Sequence, residues 1–353
     1  MRDAVPIATQ WGGRGPMTTG FGDVDFVVNV FERTYRRLTE PSVFARLARS
    51  HRFPFARRVL LVNNVDDPDD VRARAARLLQ AGEIDEIHFV AERRDRALRI
   101  CDLQRSQLEP LLHFCDAPLV AITLPGSPWL VYWDAEATLD SDVDWITPAR
   151  AQLTGDRRLL IANPSWERPL PDGSRPGVEH EALHTGEDFA FGAGFSDQAF
   201  LVRRADVARP IYAERCIGTL VHPRAYQGRT FEARINAHMR HHGRLRATYL
   251  GASYSIDQPA SAGRRPPRGV RERVRYARNG AILRLLRYSP WRPRCLRHTW
   301  IGGPVPPVSC RRSAAVADYI TQMPRAPRDR VVPHTAVIAE QQMADGVDDL
   351  LGV

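Results

Sequence analysis

Short apolar runs alternate with amphipathic stretches along the first half of the chain. Val24–Val30 (VDFVVNV) is apolar enough to form a strand buried on both faces, and it breaks at the polar turn Phe31-Glu32-Arg33-Thr34. Residues 40–51 have helical spacing, with Val43, Phe44 and Leu47 on one face and Pro41 in the first turn. Arg58 to Asn64 forms a second strand. The acid-rich run Val65 to Asp70 closes it and suits the positive end of a helix over Val71–Gln80. Glu86 to Val90 follows Gly82 as a third strand. Strands alternating with helices predict right-handed βαβ units, hence an α/β fold with a mostly parallel central sheet and flanking helices.

The most informative stretch is Trp129 to Thr147, WLVYWDAEATLDSDVDWIT. Its apolar run stops at Asp134-Ala135-Glu136. In an extended chain, residues i and i+2 point to the same side, so Asp134 and Glu136 can converge. Converging carboxylates raise each other's pKa unless a cation neutralises them, and hard divalent ions suit clustered oxygen ligands. The plainer alternative is a strand followed by a solvated acidic turn. Asp140, Asp142 and Asp144 read as turn and helix-start acids.

In parallel α/β sheets, ligands bind beyond the carboxyl ends of the strands. The polar turns at Glu32-Arg33, at Asn64 to Asp67 and at Asp134-Glu136 all fall at such ends, so the topology predicts one shared crevice.

The chain has 353 residues, ample for a substantial core, and a formal charge of +9. Its basic residues are all arginine, and the excess gathers after residue 263. Gln258 to Pro267 reads as a linker. Residues 268–297 then mix arginines with Val270, Val274, Ile282, Leu285 and Trp291. This composition suits an amphipathic segment on an anionic membrane surface, a basic helix on nucleic acid, or a solvated flank. The organisation predicted is a loose leader over 1–22, a catalytic-size domain over 23–257 and a basic extension over 258–353, with an irregular tail. Five scattered cysteines without a C-x-x-C pair argue against a zinc knuckle or disulfide framework and suit a reducing cytoplasm. The N-terminus lacks the apolar run of a secretory signal, and no stretch is long enough to span a bilayer.

The ordered set VVNVFERTY, LLVNNVDDPDD and the strand ending in D-x-E, followed by VDWITPARAQL, RLLIAN and FSDQAFLV, resembles the GT-A-fold glycosyltransferases, in particular bacterial family 2-like nucleotide-sugar transferases. The resemblance covers roughly residues 24–255. Two features depart from it: the metal motif ends in Glu, and the first-strand turn shows Glu32-Arg33 where an Asn-Arg pair is frequent.

The resemblance implies a GT-A-like fold and an inverting transfer of a sugar from a nucleotide-diphosphate donor to an acceptor hydroxyl. Mn or Mg would be held by Asp134 and Glu136. It implies a carbohydrate, lipid-linked or small-molecule acceptor; the cysteine pattern and the basic segment, for their part, suit the cytoplasm with peripheral contact at the inner membrane face. Glu32, Asn64, Asp66 and Asp134 are the expected nucleotide contacts, and turn capping is the alternative for Asn64 and Asp66. Asp197 is the expected base, with Glu187 and Asp188 as rivals. His238 and His242 share a face of a helix over Phe231–Gly243. Resembling enzymes can complete the metal shell with a late histidine, for which His242 is the candidate; a functionless surface cluster is the alternative. From other classes, a nucleotidyltransferase or a non-catalytic lipid- or nucleic-acid-binding protein would share parts of this pattern. Against the nucleotidyltransferase, no Gly-rich basic phosphate loop follows the first strand.

Overall fold

The computed structural model describes residues 22–194, 196–222, 225–257 and 269–288. The leader before residue 22, the linker 258–267 and the tail beyond 288 lie outside the described residues.

Among the described residues ten strands form the sheet: β1 (Val24–Val30), β2 (Arg57–Val62), β3 (Glu86–Phe89), β4 (Trp129–Asp134), β5 (Ala137–Leu139), β6 (Leu159–Ser165), β7 (Ala182–Thr185), β8 (Phe189–Gly192), β9 (Ala199–Arg203) and β10 (Leu245–Ile256). The order is β3-β2-β1-β4-β9-β6-β10-β8-β7, with β5 paired to β10. The expected α/β architecture is present, a central sheet between helices. Its parallel part runs through β3, β2, β1 and β4. Then β9 enters antiparallel between β4 and β6, β10 runs parallel to β6, and the β7–β8 hairpin closes the far edge antiparallel.

The continuous apolar runs become the central strands. All seven residues of β1 are buried, because β2 and β4 cover its edges and helices cover its faces. Side chains alternate between two cores. Phe26, Val28 and Val30 join Val131, Trp133 and Trp145 on one face. Val27 joins Leu61, Leu130, Tyr132 and Phe200 on the other.

The acidic turn before the second helix works as read: Asp67 accepts from the backbone N–H of Asp69 and Asp70 at 3.1 and 3.0 Å, with Pro68 in the first turn of Pro68–Gln80. Asp144 accepts from the N–H of Ile146 and Thr147 at the start of Ile146–Gly155, a helix-start acid as expected. The third strand is shorter than expected, since Val90 already opens the helix Val90–Ile100. Thr230 caps Phe231–His242 by accepting from Ala233 N–H, and Gly243 ends it at φ +59°, a conformation that favours glycine.

Within the basic extension, Val270–Tyr288 forms a helix. Tyr276 meets Tyr226 edge-on at 5.5 Å, and Asn279 is buried, so one side of this helix rests on the body. Among the described residues no helix is long and apolar enough to cross a membrane.

Candidate active site

The alternation that builds the two cores also builds a polar cleft. On the face carrying Val27, Leu61 and Tyr132, the next residues of the same parity at the carboxyl ends of the parallel strands are Asn29, Asn63 and Asp134. Apolar side chains give way to polar ones on one face at one end of three adjacent strands. The register places Asn29 opposite Asp134, and Asn29 Nδ2 donates to Asp134 Oδ2 at 3.4 Å. Because β9 runs antiparallel to β4, its entry lies beside the end of β4, and Asp134 N–H donates to Gln198 O at 2.6 Å. Asp197 thereby reaches the same place. These residues line a cleft of about 460 Å³, together with Asn64, His113, Glu136, His222, Thr230 and Glu232.

The acidic motif adopts a tighter shape than the extended one expected. The strand ends at Asp134, and Ala135-Glu136 forms a turn in which Glu136 N–H donates back to Asp134 Oδ1 at 3.0 Å. Glu136 is buried and ion-paired to Arg33 from the β1 turn. Both acids line the cleft, but Arg33 already neutralises the second. Burial pushes the Asp134 carboxyl up to about 7, against the Asn29 hydrogen bond and the Arg33 charge.

Asp197 sits deeper in the electrostatic trough. Burial first, then the charges of Glu232 and Asp134, hold it well above the usual carboxylate range. Glu232 Oε1 accepts from Asp197 N–H at 3.2 Å, and its other oxygen lies 3.6 Å from His222 Nδ1. His222 Nε2 stands 3.0 Å from Asn236 Nδ2, and Asn236 Oδ1 accepts from Arg240 at 2.8 Å. A polar chain thus runs from Asp197 into the interior of the helix Phe231–His242.

The remaining sequence candidates distribute unevenly. Asn64, at φ +46°, lines the cleft. Glu32 braces that wall: Oε2 accepts from Asp66 N–H at 2.9 Å, and Oε1 pairs with Arg36. Glu32 and Asp66 do not themselves line the cleft. Glu187 and Asp188 occupy the exposed turn of the β7–β8 hairpin, apart from it. His242 is also apart from it, hydrogen-bonded to Glu214 at 2.9 Å. His88 is bonded to Glu86, an ordinary partly buried residue, whereas His113 lines the cleft.

Asn29, Asn63, His222 and Glu232 escaped the sequence reading. The first two carried a usable signal: an Asn at the end of an apolar strand run, Asn29 before Val30 and Asn63 beside Asn64. The other two arrive from chain far downstream, and only tertiary structure brings them in.

The donor chemistry fits a hard divalent cation. Asp134 offers carboxylate oxygens at the end of β4, and Asn29 Oδ1 beside it is buried with no hydrogen-bond partner. Glu136 fits only if Arg33 releases it.

No protein-family model and no curated protein matches the chain. Among solved structures it is similar to glycosyltransferases. GalNAc-T7 with UDP, GalNAc and Mn2+ matches at 13% identity and a TM-score of 0.43, over 70% of this chain and 45% of that one. The galactosyltransferase LgtC, in complex with donor and acceptor sugar analogues, matches at 13% identity and 0.29, over 52% and 58%. Mouse xyloside xylosyltransferase 1, apo form, matches at 13% identity and 0.36, over 64% and 84%. The chain thus spans about half the length of the first two. At this identity and overlap the similarity assigns no residue of this chain a role.

Proposed function

We propose that this protein is a divalent-cation-dependent glycosyltransferase that moves a sugar from a nucleotide-diphosphate donor to an acceptor hydroxyl with inversion. The observation that carries the reading is the meeting of Asp134 and Asp197 in one cleft at the carboxyl ends of β1, β2 and β4. Two half-buried acids within mutual electrostatic reach suit a site built for a cation and for proton transfer.

Asp134, with the Asn29 amide beside it, would hold Mn or Mg, and Glu136 would join on leaving Arg33. When bound, the cation supplies Lewis-acid stabilisation of the departing diphosphate and a countercharge that returns the neighbouring carboxyls to their ionised form. Asn63 Oδ1, buried and without a hydrogen-bond partner, and Asn64 offer polar contacts to the base or ribose, with Glu32 and Asp66 shaping the turn that presents Asn64. Asp197 takes the acceptor proton as the hydroxyl oxygen bonds to the anomeric carbon, while the bond from that carbon to the phosphate oxygen breaks and its electrons leave with the diphosphate. Attack opposite the leaving group inverts the centre.

The cytoplasm suits Cys101 and Cys115, which are buried free thiols. The helix Val270–Tyr288 would bring the enzyme to an anionic membrane surface, where a lipid-linked acceptor is within reach. The test is calorimetric titration of nucleoside diphosphates with and without Mn, followed by a donor-hydrolysis assay. Binding that needs the metal supports the reading; no nucleotide binding under either condition overturns it.

A further inference from the structure

The described residues also contain a cluster of metal-ligating side chains away from the cleft: Glu214, His238 and His242. His238 and His242 lie four residues apart on the helix Phe231–His242, so their rings share a face, with centroids 4.4 Å apart. Glu214, from the segment before that helix, presents one oxygen to both: Oε1 is 3.0 Å from His238 Nδ1 and 2.9 Å from His242 Nε2. One ligand atom from each of the three residues falls within 4.8 Å of the others. His238 is 4% exposed, while His242 faces solvent. Glu214 Oε2 and His238 Nε2 are buried with no hydrogen-bond partner.

We propose that Glu214, His238 and His242 bind a single borderline transition-metal ion of the zinc type, separate from the cation of the cleft. As a hydrogen-bonded cluster, this arrangement requires a proton on each of the two ring nitrogens facing Glu214. With each ring carrying its single proton on the nitrogen turned away from Glu214, three lone pairs converge from two imidazoles and a carboxylate, a donor set that selects zinc, cobalt or nickel over magnesium or calcium. Around an ion with bonds of about 2.0–2.1 Å, tetrahedral neighbours stand roughly 3.3 Å apart, so the observed spacings need only a slight expansion. The carboxylate has a second oxygen free of hydrogen bonds to adjust its approach. The exposed side of His242 leaves water a fourth position.

The ion would join two segments of one cleft wall. From Glu214 the chain runs through the short turn Ile217–Val221 to His222, which lines the cleft. The helix carrying both histidines starts at Phe231, next to Glu232, whose carboxylate accepts from Asp197 N–H. A clamp at the far end of that helix therefore fixes the segments that present His222 and Glu232.

The test uses the full chain after chelator treatment and dialysis, in an Asp134→Asn background that disables the cleft. Titration with zinc chloride, followed by calorimetry, should show one ion per chain and a raised melting temperature. Cobalt chloride should give the visible absorption of a low-coordinate nitrogen–oxygen site. Adding His242→Ala, or separately the shape-conserving Glu214→Gln, should weaken zinc affinity at least tenfold, since even outer-shell partners of metal ligands cost about 10–100-fold. No zinc uptake in the Asp134→Asn protein, or undiminished affinity in both added variants, overturns the proposal.

Discussion

Asn29 Nδ2 donates to Asp134 Oδ2 at 3.4 Å across the β1–β4 ladder, so the amide of one central strand holds the carboxylate of its neighbour at the mouth of the cleft. That carboxylate sits at about 7 because burial outweighs the amide and Arg33. An unfolded aspartate titrates near 3.9, about three units lower. Between those values the metal-free folded state binds more protons than the unfolded one. Stability therefore falls as pH rises through the window, and the penalty is complete above about 7. Asp134→Asn removes it. The carboxylate keeps partial contact with solvent, so the gain in chelator at pH 8 should be about 1–2 kcal/mol, vanishing near pH 4. Urea unfolding at both pH values measures this. The same variant should lose Mn-dependent nucleoside diphosphate binding by calorimetry.

Arg33 competes with any cation for Glu136. If Glu136 is a ligand, Arg33→Ala should tighten Mn binding by severalfold, because the carboxylate no longer has to be released. Glu136→Gln should weaken it. Unchanged Mn affinity in both variants would make Glu136 an anchor for the β1 turn.

Asp197→Asn should lower sugar transfer by about 10²–10⁴-fold while donor affinity stays within a factor of two or so, since a base acts on the acceptor. Glu232→Gln removes the nearest charge that holds the Asp197 carboxyl up. It should therefore shift the acidic limb of the pH–rate profile to lower pH. A profile that does not move would detach Glu232 from the base.

The ends of β1, β2 and β4 were legible in the sequence because a polar turn follows each apolar run. Asp134 and Asn64 reached the cleft for that reason, whereas Asp197 reached it through the antiparallel entry of β9. The tight turn at Glu136 was not legible, since its shape depends on Arg33 from another strand and on the back-bond to Asp134. The antiparallel entry of β9 was equally hidden: Ala199–Arg203 is an apolar run like the others, and no local pattern states its direction. The i, i+4 spacing of His238 and His242 was plain, but their partner Glu214 lies 24 and 28 residues away, beyond any local pattern.

At the opposite end of β1, Asp25 is fully buried and bonded to Arg57 at 2.6 and 3.0 Å, to Arg204 at 2.9 Å and to Ser127 N–H at 3.0 Å. Gly126 leaves room for this cluster, as any Cβ there would collide with Arg57. Burial works to raise the Asp25 carboxyl, but the two arginines and Ser127 prevail and hold it below its ordinary value. Its contribution is therefore present above about pH 4 and is lost as pH falls further. Asp25→Asn should cost about 3–5 kcal/mol at neutral pH, because it strands the buried Arg204, and the cost should shrink in acid. Denaturant unfolding at pH 7 and pH 3 reads both.

The helix Val270–Tyr288 carries the last prediction. Val270, Val274, Ala277, Ala281 and Leu285 fall within a narrow arc at 100° per residue, and all are exposed, Val270 at 79% and Leu285 at 71%. Arg271, Arg275 and Arg278 flank this stripe on one side and Arg273 on the other, while Tyr276 and Asn279 turn toward the body. An apolar stripe aimed away from the protein between arginines suits a helix lying in the headgroup region of an anionic bilayer. Each arginine near the surface contributes about 1 kcal/mol, screened within a Debye length. Binding to phosphatidylserine-containing vesicles should therefore fall steeply with salt. Arg271→Glu with Arg275→Glu should reduce it by well over tenfold at low salt. Val274→Ser with Leu285→Ser should remove the part that survives high salt, without altering hydrolysis of a soluble donor. Co-sedimentation beside a turnover assay separates the two contributions. A wild-type protein that ignores anionic vesicles at low salt would leave the stripe without a membrane role and make a soluble acceptor the better substrate.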